Sequence, residues 1–225
     1  AMLDRFDSIN PKVSLPSPTL PLFADTQKPE PDVAIHPFTN VQVEPLSSRR
    51  LLGYLAGRRI DASIAKQYLQ QVSYNFDGRH YLALAFPNNF GGYEMRSTGR
   101  FKGTLPPKGV TILHAEKIAL CKEVTVFEGV MDYLSALTHY GRKEATTPVI
   151  ILNSASMEGQ ALEVIKELGA EKVHLYLDRD TTGRKLTETF KEALAGIDVI
   201  DQSNLYAAHK DFNQFLIAKT LGKCR

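Results

Sequence analysis

Two rhythms of apolar and polar positions divide the chain. From Pro45, hydrophobic residues first recur at helical spacing: Leu51, Leu52, Tyr54 and Leu55, then Ile64, Ala65, Tyr68 and Leu69. Ser47 or Ser48 is positioned to cap the first helix, which ends near Gly57, and Asp61 to cap the second. Val72 to Phe76, Asp77-Gly78 and Arg79 to Phe86 then predict a hairpin with a type I′ turn. A second turn at Asn89-Phe90-Gly91-Gly92 leads into Tyr93 to Arg96, completing a three-stranded meander. From Ala115 the rhythm changes. Short continuous apolar runs at 124–127, 149–152, 173–177 and 197–200 alternate with amphipathic stretches at 130–140, 157–168, 183–195 and 211–220. That alternation predicts an α/β unit with a four-stranded parallel sheet flanked by helices, preceded by a small α+β lobe.

Residues 1–44 show neither rhythm. Eight of the 12 prolines stand at or before Pro45, which rules out long helices and central strands there. The reading is an extended linker over 1–44, with Leu22, Phe23 and Phe38 available to lie over the fold, then a lobe over 45–114 and an α/β domain over 115–225. Ala1-Met2 reads as a scar ahead of a sequence that starts part-way, so residues are expected upstream.

Composition narrows the function classes. A net charge of +2 is too mild to signal nucleic-acid binding by itself, so any basic patch must be argued locally. Two cysteines, Cys121 and Cys224, suffice for neither a disulfide framework nor a four-cysteine zinc site. A reducing, cytoplasmic setting and no zinc among these residues are expected. No apolar run reaches membrane-spanning length, and the start has no signal-peptide core, so no membrane role is expected.

The chemistry lies at the predicted strand ends, where ligands of parallel sheets bind. The first strand ends in Glu128-Gly129, with Asp132 one helical turn on; the second in Asn153-Ser154-Ala155-Ser156; the third in Asp178-Arg179-Asp180. Lys210-Asp211-Phe212-Asn213 follows the fourth. In an extended segment Asp178 and Asp180 point the same way. Two carboxylates about 4 Å apart repel by roughly 4 kcal/mol at an effective dielectric of ~20, so a cation belongs between them. Each acid also has a plain structural reading: Glu128 and Asp132 as acids at a helix N-terminus, Asp178 and Asp180 as turn residues, Asp211 as an N-cap. Clustered carboxylates without cysteine suit a hard cation such as Mg²⁺, with Mn²⁺ as substitute, and hence phosphoryl chemistry. Neither a Walker loop nor a G-x-G-x-x-G sequence occurs.

FEGVMDYLSAL, YLDRDTTGRK about 50 residues later, and KDFNQFL downstream together resemble the Toprim domain over residues 115–216. That domain is shared by DnaG-type primases, topoisomerases, OLD-type nucleases and RecR-like proteins. The primase branch is the most similar, because Asp132 stands four residues after Glu128 and Lys210-Asp211-Phe212-Asn213 stands where a Lys-Asp-Pro-Asp-like segment is usual. Asn213 replaces the second aspartate, a departure bearing on a second metal. LAGRRIDASIAKQYLQQVSY and YLALAFPNNFGGYEMRS are similar to the amino-terminal lobe of primase polymerase domains. The overall likeness is to compact primase-like proteins of Bacteroides mobile elements, whose zinc module has no counterpart here.

The resemblance implies primer synthesis on single-stranded DNA from nucleoside triphosphates. Glu128, Asp132, Asp178, Asp180 and Asp211 are then metal ligands, with Glu128 also catalytic. A replicative helicase or mobilisation proteins are the implied partners. Arg96, Arg100, Lys102 and Lys108, with Phe101 among them, are candidates to track a template. Arg184, Lys185 and Lys210 are candidates for the triphosphate, and Asn153, Ser154 and Ser156 for phosphate contacts. Two alternatives stand beside this reading: a Toprim nuclease, and a non-catalytic RecR-like scaffold. A topoisomerase is disfavoured, because the chain has no room for a strand-cleaving tyrosine module.

Overall fold

The computed structural model describes residues 38–99 and 101–222. Most of the expected linker, Leu22, Phe23 and Arg100 lie outside them. The first lobe comprises β1 (Thr39–Pro45), α1 (Arg49–Gly57), α2 (Ala62–Tyr68), β2 (Gln70–Phe76), β3 (Arg79–Pro87), β4 (Tyr93–Arg96) and β5 (Lys102–Leu105). Its strands form one antiparallel sheet in sequence order. The meander is therefore five strands wide, not three. Residues 39–45 were hidden by Pro45, which the fold tolerates because β1 is an edge strand. Lys102–Leu105 was hidden by its lysine and glycine, which read as a basic connection.

Local chemistry explains the connections. Asp77 and Gly78 both have positive φ, +49° and +68°, as a type I′ turn requires. Asp61 caps α2 by accepting from the amides of Ser63 and Ile64. Neither Ser47 nor Ser48 caps α1 through its hydroxyl. Gln71 reaches across from β2, and its Oε1 accepts from both serine amides, at 3.0 and 2.8 Å.

The second lobe contains β6 (Thr111–Leu113), a short α3 (Ile118–Cys121), β7 (Glu123–Phe127), α4 (Val130–Tyr140), β8 (Val149–Ile151) and α5 (Glu158–Glu167). It continues through β9 (Lys172–Tyr176), α6 (Thr181–Ala193), β10 (Asp198–Asp201) and α7 (Phe212–Gly222). The strand order is β10-β9-β7-β8-β6, four parallel strands with β6 antiparallel at one edge. This is a mixed α/β domain with a parallel-rich sheet flanked by helices, preceded by a small β-rich lobe. The sequence reading missed β6, because three residues are too few to show a period.

The sheet is covered on both faces. Val124, Val126, Val173 and Leu175 pack with Val164 and Ile165 of α5 and Leu186 and Phe190 of α6. The opposite face carries Phe127, Val149 and Ile151, and its core does not stop at the lobe boundary. Leu51, Leu55, Ile64, Leu84 and Phe86 of the first lobe belong to the same cluster as Leu134, Leu137 and Phe212 of the second. Among the described residues no helix is long and apolar enough to cross a membrane.

Candidate active site

The turns leaving β7, β8 and β9 are stitched together by backbone. Just past β7, the amide of Glu128 donates to the carbonyl of Tyr176 at 3.4 Å, and its own carbonyl accepts from the amide of Asn153 at 3.1 Å. The amide of Asp178 donates to Glu128 Oε2 at 3.1 Å, which aims that carboxylate at the third strand end. On the far side, the amide of Arg179 donates to the carbonyl of Lys210 at 2.7 Å, so the segment after β10 is brought alongside the Asp-Arg-Asp turn.

The cation demanded by the two aspartates is Lys210. Its Nζ lies 3.0 Å from Asp180 Oδ2 and 3.5 Å from Asp178 Oδ2. The two carboxylates differ in environment. Asp180 caps α6, accepting from the amides of Thr182 and Gly183, and its carboxyl is held below the usual range chiefly by the Gly183 amide and by Lys210. Asp178 is largely enclosed, and burial, aided by the nearby charge of Asp211, pushes its carboxyl up. Glu128 is raised by burial and then by Asp178. Asp132, at the cleft floor, is raised furthest, to about 8, by burial and then by Asp211, Asp178 and Glu128. The cleft holds its acids at the cost of mutual repulsion, as a cation site does.

The closeness of α6 to this turn depends on Gly183. A Cβ there would collide with the backbone carbonyl of Asp178. The sequence reading began the helical stretch at Gly183 and gave the glycine no role; its place in the first turn of that helix, three residues after Asp180, was the available signal.

The other anticipated residues divide. Lys102, on β5, lies near enough to Glu128 for its charge to pull that carboxyl down, so the first lobe contributes a cation across the cleft. Lys108, with Lys102, acts on Glu94 instead. Arg96 is tied by its Nε to the Tyr54 hydroxyl at 2.9 Å. Phe101 does not flank the cleft, because its ring lies over Gly103 on the other side of the sheet from Lys102. Arg184 lines a groove of about 310 Å³ that also borders Asp178, Arg179, Asp201 and Ser203, whereas Lys185 is exposed on α6.

Three sets of anticipated side chains are engaged in other bonds in the structure. Asn153, at φ +65°, donates its amide to the Gly109 carbonyl and to Thr111 Oγ1, each at 3.0 Å. That fastens β6 and uses the donor a phosphate contact would need. Ser154 and Ser156 bond each other, Oγ to Oγ, at 3.0 Å. Asp211 accepts from the Gln214 amide at 2.7 Å and so caps α7, reaching Asp132 and Asp178 by its field rather than by contact.

Asn213 explains its departure from the expected aspartate. It is buried, its Nδ2 donates to the Arg58 carbonyl at 3.0 Å and to Ser135 Oγ at 2.8 Å, and its Oδ1 accepts from Arg58 Nη1 at 2.6 Å. Its backbone amide donates to Asp132 Oδ1 at 3.0 Å. The carboxamide thus joins the two lobes and cannot also face the cleft. Asn213→Asp would remove both donations and bring another charge beside Asp132. It is expected to cost about 1–3 kcal/mol of stability, read as a lowered urea midpoint, while Asn213→Gln, which keeps the amide but overpacks, should lose less.

The donor set fits a hard divalent cation, being all carboxylate oxygen, with Asp178 and Asp180 already converging on one positive charge. Among the described residues no three acidic, histidine or cysteine groups converge tightly enough to enclose an ion alone. Mg²⁺ does not require that, since it keeps waters and takes substrate phosphates as ligands.

Comparison with known proteins agrees with this layout. Residues 125–216 match the Toprim-like family, and residues 40–106 match a domain of unknown function, DUF8464. No curated protein matches the chain. Among solved structures, the primase fragment of the bacteriophage T7 primase-helicase protein is similar, with 19% identity and a TM-score of 0.52 over 78% of this chain and 70% of that one. So is a chain of an assembly in which the T7 lagging-strand DNA polymerase interacts with primase domains of two gp4 subunits bound to an RNA/DNA hybrid and dTTP. There the identity is 16% and the TM-score 0.52, over 81% of this chain and 88% of that one. At these identities the likeness is one of fold.

Proposed function

We propose that this Toprim-like chain, with its primase-like fold, is the catalytic part of a metal-dependent primase-type nucleotidyltransferase that extends RNA or mixed primers on single-stranded DNA. The observation that carries the reading is the convergence of Glu128, Asp178, Asp180 and Lys210 at adjacent strand ends, faced across the cleft by Lys102. The primase domains in the T7 assembly are bound to an RNA/DNA hybrid and dTTP, and the same partners are proposed here. The setting proposed is cytoplasmic, in replication or mobilisation of a mobile element, with a replicative helicase or mobilisation proteins as partners.

Asp178 and Asp180 would hold the divalent ion, with Glu128 adjoining and Asp132 and Asp211 setting the negative field behind them. Bound Mg²⁺ supplies charge neutralisation on the phosphates and lowers the pKa of an oxygen it polarises. The rest falls to the chain. Glu128, raised by burial, is suited to accept the proton of a primer 3′-hydroxyl. Lys210, on a segment bonded to the Asp-Arg-Asp turn, is placed to meet an incoming triphosphate, with Arg184 beside it. Lys102 holds phosphate of template or primer from the opposite wall.

Labelled-nucleotide incorporation on a primed single-stranded template tests this, with Glu128→Gln as the blank. Elongated products absent from the blank are expected. Shortened template would instead identify a nuclease, and retention without chemistry a scaffold. Lys102→Ala should weaken single-stranded DNA binding and lower the slope of log affinity against log salt by roughly 0.7, one released counterion. An unchanged slope, measured by fluorescence anisotropy, would place the template elsewhere.

A further inference from the structure

The outer face of the antiparallel sheet is apolar and aromatic, and it has no cover among the described residues. Val72, Tyr74, Ala83, Ala85, Met95 and Leu105 form its centre, each no more than 8% exposed. Their described hydrophobic neighbours come from the same sheet and from Phe38 beside it. The helices of this lobe pack on the other side, against Leu84 and Phe86. Around the centre stand rings that touch one another. Tyr74 stacks on Tyr81 at 5.5 Å, Phe38 meets Tyr74 at 4.9 Å and Phe76 at 5.6 Å, and Phe101 lies 6.4 Å from Tyr74. Phe76, Tyr81 and Phe101 keep about two-fifths of their surface exposed (41, 36 and 40%). One face of a single sheet this apolar calls for a partner.

We propose that this face is the docking surface for the chain's own proline-rich segment, residues 15–23, Leu-Pro-Ser-Pro-Thr-Leu-Pro-Leu-Phe. Three observations favour that occupant. The chain arrives at the sheet through Phe38, whose ring already lies on this face. The 14 residues between Phe23 and Phe38 span up to ~46 Å, against a sheet only ~19 Å across. The chemistry also matches. Pro18 and Pro21 have the P-x-x-P spacing that settles on aromatic surfaces, and Leu20, Leu22 and Phe23 add apolar area. Charge disfavours a nucleic acid here. Strand alternation turns Arg96 and Lys102 to the cleft side and leaves Arg79 as the strand cation on the outer side among the described residues. The proposal does not depend on the catalytic reading.

The test places the photoreactive residue benzoylphenylalanine at Phe76, and separately at Tyr81, in the full chain. After irradiation and digestion with trypsin, which cuts after Lys12 and Arg49 but not between Lys28 and Pro29, the expected adduct is the peptide Val13–Arg49, with the cross-link mapped by fragmentation to residues 15–23, at a yield independent of protein concentration; a cross-link confined to residues 24–49 counts against the proposal. Leu20→Ser with Leu22→Ser and Phe23→Ser should lower that yield at least about tenfold, since each removes apolar contact. Adducts confined to other peptides, to a second copy of the chain or to added single-stranded DNA would overturn the proposal, as would no adduct at either position.

Discussion

Asp178→Asn is expected to lower nucleotide incorporation by on the order of 10³, about 4 kcal/mol of transition-state stabilisation. It should also weaken Mn²⁺ binding measured by calorimetry. The substitution keeps the shape of the side chain and removes its charge from the point where Asp180 and Lys210 already meet. Asp180→Asn should weaken Mn²⁺ binding too, but it also touches the cap of α6, whose amides Asp180 accepts. Asp178 is therefore the cleaner probe. Because Asp178 and Glu128 are both raised by burial and by neighbouring acids, protons compete with the ion, and wild-type Mn²⁺ affinity should rise with pH. An Asp178→Asn protein that binds Mn²⁺ as the wild type does would remove the basis of the metal assignment. If it bound no Mn²⁺ yet incorporated nucleotide normally, the acids would be structural.

Asp132→Asn is expected to stabilise the metal-free protein at pH 8 by on the order of 2–4 kcal/mol, and to flatten its pH dependence. The folded carboxyl is raised from an ordinary value of 3.8 to about 8. Between those two values the folded state holds a proton that the unfolded state has lost, so wild-type stability falls as pH rises through that window. Below it both states are protonated, above it both are ionised, and the slope from this group vanishes. An asparagine has no proton to lose, and its Oδ1 still accepts from the Asn213 amide as Asp132 Oδ1 does. Urea unfolding in chelator at pH 5 and pH 8 measures the difference. Equal slopes for wild type and variant would show that Asp132 is not ionised at a cost.

The second lobe was readable because its physics is local. Continuous apolar strands and amphipathic helices state their class without knowledge of what they pack on. The Asp-Arg-Asp turn stated its need for a cation, and the structure meets it with Lys210. The limits of the reading were non-local. Whether a lysine in 102–108 faces the acids or the solvent depends on strand alternation in β5, which its glycine and lysine concealed. Asn213 and Asn153 were judged by their neighbours in sequence, while their partners, Arg58 and Gly109, lie 155 and 44 residues away. A carboxamide that satisfies three groups, two of them across a lobe boundary, looks, in one dimension, like a weakened acid.

The continuity of the core from Leu51 and Phe86 to Leu134 and Phe212 has a consequence for how the molecule can be divided. The boundary near residue 114 separates two sheets, but it does not separate two cooperative units. Either half expressed by itself would carry a raw hydrophobic surface where the other had been, and the Arg58–Asn213 joint would be left with buried polar groups unanswered. Evolutionary exchange of one lobe for another of its kind would have to carry the matching half of that seam with it. The two sequence-defined pieces are therefore expected to fold as a pair.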